Sequence, residues 1–118
     1  MANQEHPGFV FVTGCELENS PRYGGEVYHI TFQDLGSETN YYTYAVPGNR
    51  NYSRWLDIIK FANLAGIVMH DVSIKDPHKG LIDADSKFTA DWMELEELAD
   101  LVVEARRKSS SPWDRWFE

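Results

Sequence analysis

Two stretches of period-two alternation, joined by a turn, constrain this chain more than anything else in it. Residues 26–33 place Tyr28, Ile30 and Phe32 on one side and Val27, His29, Thr31 and Gln33 on the other, as a strand with one buried face must. Residues 40–46 alternate again, which predicts Tyr42, Tyr44 and Val46 inward and Tyr41, Thr43 and Ala45 outward. The turn-prone run Asp34, Leu35, Gly36, Ser37 between them makes the pair an antiparallel hairpin.

Other elements follow from the flanks. Phe9, Val10, Phe11 and Val12 form a short β-prone run, followed by a bend at Gly14 and a loop from Asn19 to Gly25. Pro47, Gly48 and Asn49 end the third strand. Asn51 or Ser53 then caps a helix in which Trp55, Ile58, Ile59 and Ala62 recur at helical spacing, with Gly66 as a left-handed stop. Residues 67–75 alternate with a phase slip near Asp71 that a bulge explains, and residues 81–88 make a fifth strand after the loop through Pro77, His78 and Gly80. Thr89 caps a last helix with Asp91 and Glu94 early and Arg106, Arg107 and Lys108 late, the charge order that a helix dipole favours. Its expected buried stripe is Trp92, Leu95, Leu98 or Ala99, Val102 and Ala105. Ser109, Ser110, Ser111 and Pro112 read as a flexible linker, so the expectation is one domain over 1–108 and an aromatic tail over 109–118.

The order β-β-β-α-β-β-α over about residues 8–89 resembles the oligonucleotide/oligosaccharide-binding (OB) barrel with an added C-terminal helix. The resemblance implies an α+β, mainly β fold: a five-stranded barrel or curled antiparallel sheet with a helix between strands three and four. An open sheet with its helices on one face is the structural alternative. Compact OB-like proteins of phages and mobile elements are similar in size and pattern.

Size and charge narrow the function. A chain of 118 residues with 42% hydrophobic content supports one core. No stretch approaches the roughly 18–20 apolar residues of a membrane span, and the N-terminus has no cationic region ahead of an apolar one, so a cytoplasmic setting is expected. Cys15 stands alone and reads as a small core residue. The net charge of −8 divides as −4 over residues 1–50, 0 over 51–89 and −4 over 90–118. Long-range electrostatics therefore oppose a polyanion and favour a basic partner.

Catalytic patterns are weak. Asp85, Ser86 and Lys87 match the acid-x-Lys half of a Mg²⁺ nuclease motif, with Asp71 as the upstream acid, but such triplets arise by chance in charged chains and the upstream Pro-Asp element is missing. His6, His29, His70 and His78 are neither paired at i, i+4 on a helix nor near the cysteine, which gives no sequence signature of a metal site. There is no Gly-x-Ser-x-Gly, and Gly24-Gly25 lacks the lysine and helix of a phosphate loop. No cofactor is implied.

Two binding surfaces stand out. The tail brings Trp113, Trp116 and Phe117 together after a flexible linker, a pattern suited either to docking on its own domain or to anchoring in a partner groove. The last helix presents Glu96, Glu97 and Asp100 with Glu94 and Glu104, either a solvated face or a mimic of nucleic-acid charge. The leading expectation is a non-enzymatic acidic protein that binds another protein, as a small regulator or inhibitor of a nucleic-acid-handling machine. The alternative is single-stranded nucleic-acid binding through Tyr41, His29, Arg50, Arg54, Lys75 and Lys79, with rings for bases and cations for phosphates. The Mg²⁺ nuclease built on Asp71, Asp85 and Lys87 stands third.

Overall fold

The computed structural model describes residues 8–108. These form strands β1 (Phe9–Ser20), β2 (Gly25–Asp34) and β3 (Asn40–Ala45), helix α1 (Tyr52–Phe61), strands β4 (Gly66–His70), β5 (Ile74–Asp76), β6 (Leu81–Ile82) and β7 (Thr89–Met93), and helix α2 (Leu95–Lys108). The strands make one curled mixed sheet, a half-barrel of α+β class, in the order β5-β6-β3-β2-β1-β4-β7. Neighbours are antiparallel except β3 and β6, which pair in parallel at Tyr42 and Leu81. The sheet has seven strands where five were expected.

The inner, concave side holds the main core. Val10 and Val12 of β1, Ile30 and Phe32 of β2, and Ile67 and Met69 of β4 point there, closed over by Trp55 and Ile58 of α1. Trp55 is fully buried, its ring 4.7 Å from that of Phe88. Its indole N–H donates to the Ala84 carbonyl at 2.8 Å, so the largest apolar side chain also satisfies its polar atom.

Several local readings are corrected. The first strand does not end near Val12: a bulge between Val12 and Gly14 keeps it paired with β2 as far as Ser20. Behind that bulge the alternation of Cys15, Glu16, Leu17 and Glu18 continues the strand. The third strand has the opposite phase to the expected one. Thr43 and Ala45 are buried at 1% and 0% exposure, Tyr41 packs against the core, and Tyr42 and Tyr44 lie half-buried on the outer face. Burying a threonine costs little here because its hydroxyl donates to the Ile82 carbonyl at 2.7 Å, and a tyrosine on a half-open face keeps its hydroxyl near water. Val27, read as outward, is buried.

The second half of the chain departs further. Asn51 precedes α1 without capping it through its side chain, which donates instead to the Ser86 carbonyl at 2.9 Å. Gly66 is no left-handed stop; it opens β4 at a point where a Cβ would lie 2.7 Å from Leu98 Cβ. Near Asp71 the chain turns through φ +68° rather than bulging, and the following strand β5 pairs with β6. The fifth strand shrinks to Leu81–Ile82, after which residues 83–86 form a turn closed by the Asp85 N–H on Asp83 Oδ1 at 3.0 Å. The last helix does not start at Thr89: Thr89–Met93 is strand β7, paired antiparallel with β4. With its β-prone Thr89 and Trp92, it completes an edge that β4 would otherwise leave open. Trp92, placed in the buried stripe from sequence, is 46% exposed and meets Phe61 edge-on, and Leu95 is exposed as well.

Helix α2 lies on the outer side of the sheet. Leu98 packs with Leu35 and Val68, backed by Phe11, Leu101, Val102 and Ala105. The Arg106 guanidinium donates to Gln33 Oε1 and to the Ser37 carbonyl, which ties the helix end to the β2–β3 turn. The helix thus covers the outer face over β4 and the start of β1.

Candidate functional site

The other half of the outer face, where the end of β1 runs beside β2 and β3, carries the chemistry. Directly opposed residues of an antiparallel sheet project to the same side, as do residues two apart on one strand. Glu16 opposes His29 and Glu18 opposes Val27 across β1 and β2. His29 opposes Tyr44, and Thr31 opposes Tyr42, across β2 and β3. One face therefore gathers Glu16, Glu18, His29, Tyr42 and Tyr44.

The rings form a continuous cluster. His29 stacks on Tyr44 with centroids 5.0 Å apart and planes at 29°, and Tyr42 meets His29 edge-on at 5.5 Å and Tyr44 edge-on at 5.7 Å. Tyr23, from the 3-10 turn Pro21–Tyr23 between β1 and β2, adds a fourth ring 5.9 Å from Tyr44, with the Arg22 guanidinium 5.8 Å from the Tyr23 centroid. Glu18 Oε1 lies 3.6 Å from His29 Nδ1. Among the described residues, no lysine or arginine makes an ion pair with Glu16 or Glu18. A cavity of about 280 Å³ opens beside them, lined by Gly14, Cys15, Glu16, His29, Thr31 and Asn63.

The local field is negative. Burial raises the Tyr44 phenol above its ordinary value, and the neighbouring Glu18, Tyr42 and Tyr23 push the same way against the smaller opposing effect of Arg22. Burial, with help from Glu16, likewise raises the Cys15 thiol, so Cys15 is held as a thiol and not as a reactive thiolate. Ring faces beside carboxylates that no lysine or arginine neutralises attract cations.

The residues expected for nucleic-acid binding do not converge. His29 is in the ring cluster, but Tyr41 faces the core. Lys75 lines a pocket of about 100 Å³ with Tyr23 and Tyr44, next to the cluster. The Arg54 guanidinium sits 4.1 Å from the centroid of Phe88, in a different pocket with Asp57 and Trp92. The Arg50 N–H donates to Asp85 Oδ1 at 2.9 Å, and the Lys79 N–H to Asp76 Oδ1 at 3.3 Å. Of the nuclease set, Asp71 directly follows β4, beside His70 at 3.2 Å, whereas Asp85 and the exposed Lys87 belong to the region of the 83–86 turn; among the described residues no hydrogen bond joins the two places. Glu96, Glu97 and Asp100 are exposed on α2. Trp113, Trp116 and Phe117 lie outside the described residues.

Sequence reasoning missed Glu16, Glu18, Tyr42 and Tyr44 as site residues. The signal was present in the Glu16-x-Glu18 alternation, but Gly14 read as the end of the strand. The chain matches no protein-family model, no curated protein and no solved structure. What fold and site define is a class: an α+β protein with a curled half-barrel sheet, compatible with an OB-like barrel, that carries an acidic aromatic face. Among the described residues, no helix is long and apolar enough to cross a membrane.

Proposed function

We propose that this protein is a non-enzymatic acidic binding module of OB type, which docks a cationic segment of another protein on the outer face of β1, β2 and β3. One observation carries the reading: Glu16 and Glu18, with no lysine or arginine paired to them among the described residues, flank the ring cluster of His29, Tyr42, Tyr44 and Tyr23. A lysine or arginine side chain inserted there meets ring faces and carboxylates together, an arrangement that stabilises a cation more than either group alone. The OB reading is supported by the order of the strands. A β1-β2-β3 meander is followed by a helix, a strand that returns to β1, and a short strand parallel to β3. Strands two and three of such barrels are their usual ligand face. Glu96, Glu97 and Asp100 add negative charge that steers a basic partner, and Trp113, Trp116 and Phe117 are its proposed anchors. A small regulator that occupies the basic groove of a nucleic-acid-handling machine fits this chemistry.

The test is fluorescence anisotropy with a labelled Arg- and Lys-rich peptide. The E16Q/E18Q double variant is expected to weaken binding about tenfold, equivalent to about 1.4 kcal/mol, and Tyr44→Ala to weaken it as well. Neutralising Glu96, Glu97 and Asp100 together removes more charge but should weaken binding less. Equal losses from both sets would mean diffuse electrostatics and no site.

A second reading, single-strand nucleic-acid binding, is favoured by the same ring cluster with Lys75 beside Tyr44. Bases stack on such rings, but Glu16 and Glu18 repel the backbone that would bring them. A gel shift with an unstructured oligonucleotide at low salt, tight at micromolar protein and lost on adding salt, would establish this reading over the first.

A further inference from the structure

We propose that Glu16, Glu18 and His29 form a binding site for one divalent metal ion of the zinc type, open on the cavity side to a fourth ligand. Each of the three side chains offers one ligand atom, and these atoms all lie within 4.8 Å of one another. The register sets this arrangement: Glu16 faces His29 directly across the strand pair, and Glu18 is two residues along on the same side.

The spacing of His29 and Glu18, an ion-pair distance longer than a hydrogen bond, also suits a shared ion. Their Nδ1 and Oε1 atoms are 3.6 Å apart, beyond the roughly 2.7–3.2 Å of an N–H···O bond. Two donors held at about 2.0–2.2 Å from a tetrahedral zinc are separated by about 3.3 Å, so a small closure brings both onto one ion. The imidazole is already oriented, with Tyr44 stacked on its face and Tyr42 at its edge. Two carboxylates gathered on one face without a lysine or arginine ion pair repel each other, and a bound cation removes that repulsion.

The ligand set selects the ion class. One imidazole nitrogen with two carboxylates suits zinc and its neighbours in the first transition row, whereas Mg²⁺ and Ca²⁺ require an all-oxygen shell of six or more. The cavity of about 280 Å³ beside Glu16 and His29 leaves room for water or an incoming group in the fourth position. This site does not depend on peptide docking, although a bound metal and a cationic side chain would exclude each other because both need the same carboxylates.

The experiment is calorimetric titration of the full chain with zinc chloride, alongside NMR of the histidine and tyrosine rings with Co²⁺ as a paramagnetic probe. The expected result is one ion per chain at micromolar affinity. E16Q, E18Q and His29→Asn should each weaken it at least about tenfold, while His70→Asn and His78→Asn leave it unchanged. In the unaltered chain, Co²⁺ should broaden the His29 and Tyr44 rings ahead of those of His70 and His78, a readout independent of whether any variant folds. Absence of one-to-one binding, or broadening that begins at His70 or His78, overturns the site.

Discussion

Gly66→Ala tests the seating of α2, the contact that divides the outer face into a covered half and an open one. Gly66 does not occupy the left-handed region, so alanine meets no backbone strain there. Its Cβ, however, would stand 2.7 Å from Leu98 Cβ, 3.0 Å from Met93 Cγ and 3.2 Å from the Glu94 carbonyl oxygen. The Met93 side chain can swing aside, but Leu98 Cβ is fixed to the helix backbone. Restoring an ordinary carbon–carbon contact of about 3.5–4.0 Å therefore moves α2 outward by about 1 Å. Overpacking of this kind costs about 1–3 kcal/mol, and the stiffer unfolded chain returns about 0.4–1 kcal/mol. The net expectation is a loss of about 1–2 kcal/mol, or a fall in Tm of about 4–8 °C. Urea denaturation followed by far-UV circular dichroism measures it. Gly48→Ala is the control, because nothing lies within 4 Å of its Cβ, and it should be neutral or slightly stabilising. Hydrogen exchange should quicken along α2 while β2 and β3 keep their protection. A Gly66→Ala protein as stable as the Gly48→Ala protein would show that α2 is not held by this approach.

Thr43→Val removes the hydroxyl that donates to the Ile82 carbonyl and should cost about 1–3 kcal/mol, with faster exchange in the short strand β6; unchanged stability would contradict the role given to that bond. Because the Tyr44 phenol is raised above its ordinary value of 10.0 in the fold, the unfolded chain ionises first, so its contribution to stability is complete below that value and is lost as pH rises from there through the raised one. The urea midpoint should accordingly fall less steeply in alkali for Tyr44→Phe than for the unaltered protein, and equal slopes would refute the assignment. Cys15, raised by burial and by Glu16, should react with iodoacetamide more slowly than a free cysteine at pH 8 and reach the free rate in urea; a native rate as fast as the free one would count against it.

Local alternation and helical spacing were enough to place β2 and β3 as a hairpin, to put α1 around Trp55 and Ile58, and to make Leu98, Val102 and Ala105 an apolar stripe on α2. Composition established the negative charge of the chain. Periodicity says which residues share a face, but not which face another element will cover. In β3 both faces carry strand-forming side chains, and the choice fell to Thr43 and Ala45 only because β6 supplies a carbonyl for the threonine and the core closes on that side. Thr89–Met93 became a strand because β4 offered it an edge, which no short window of sequence contains. The meeting of Glu16, Glu18 and His29 is a matter of cross-strand register beyond a bulge. Residues far apart along the chain become chemical neighbours only when the whole sheet has set how its strands align.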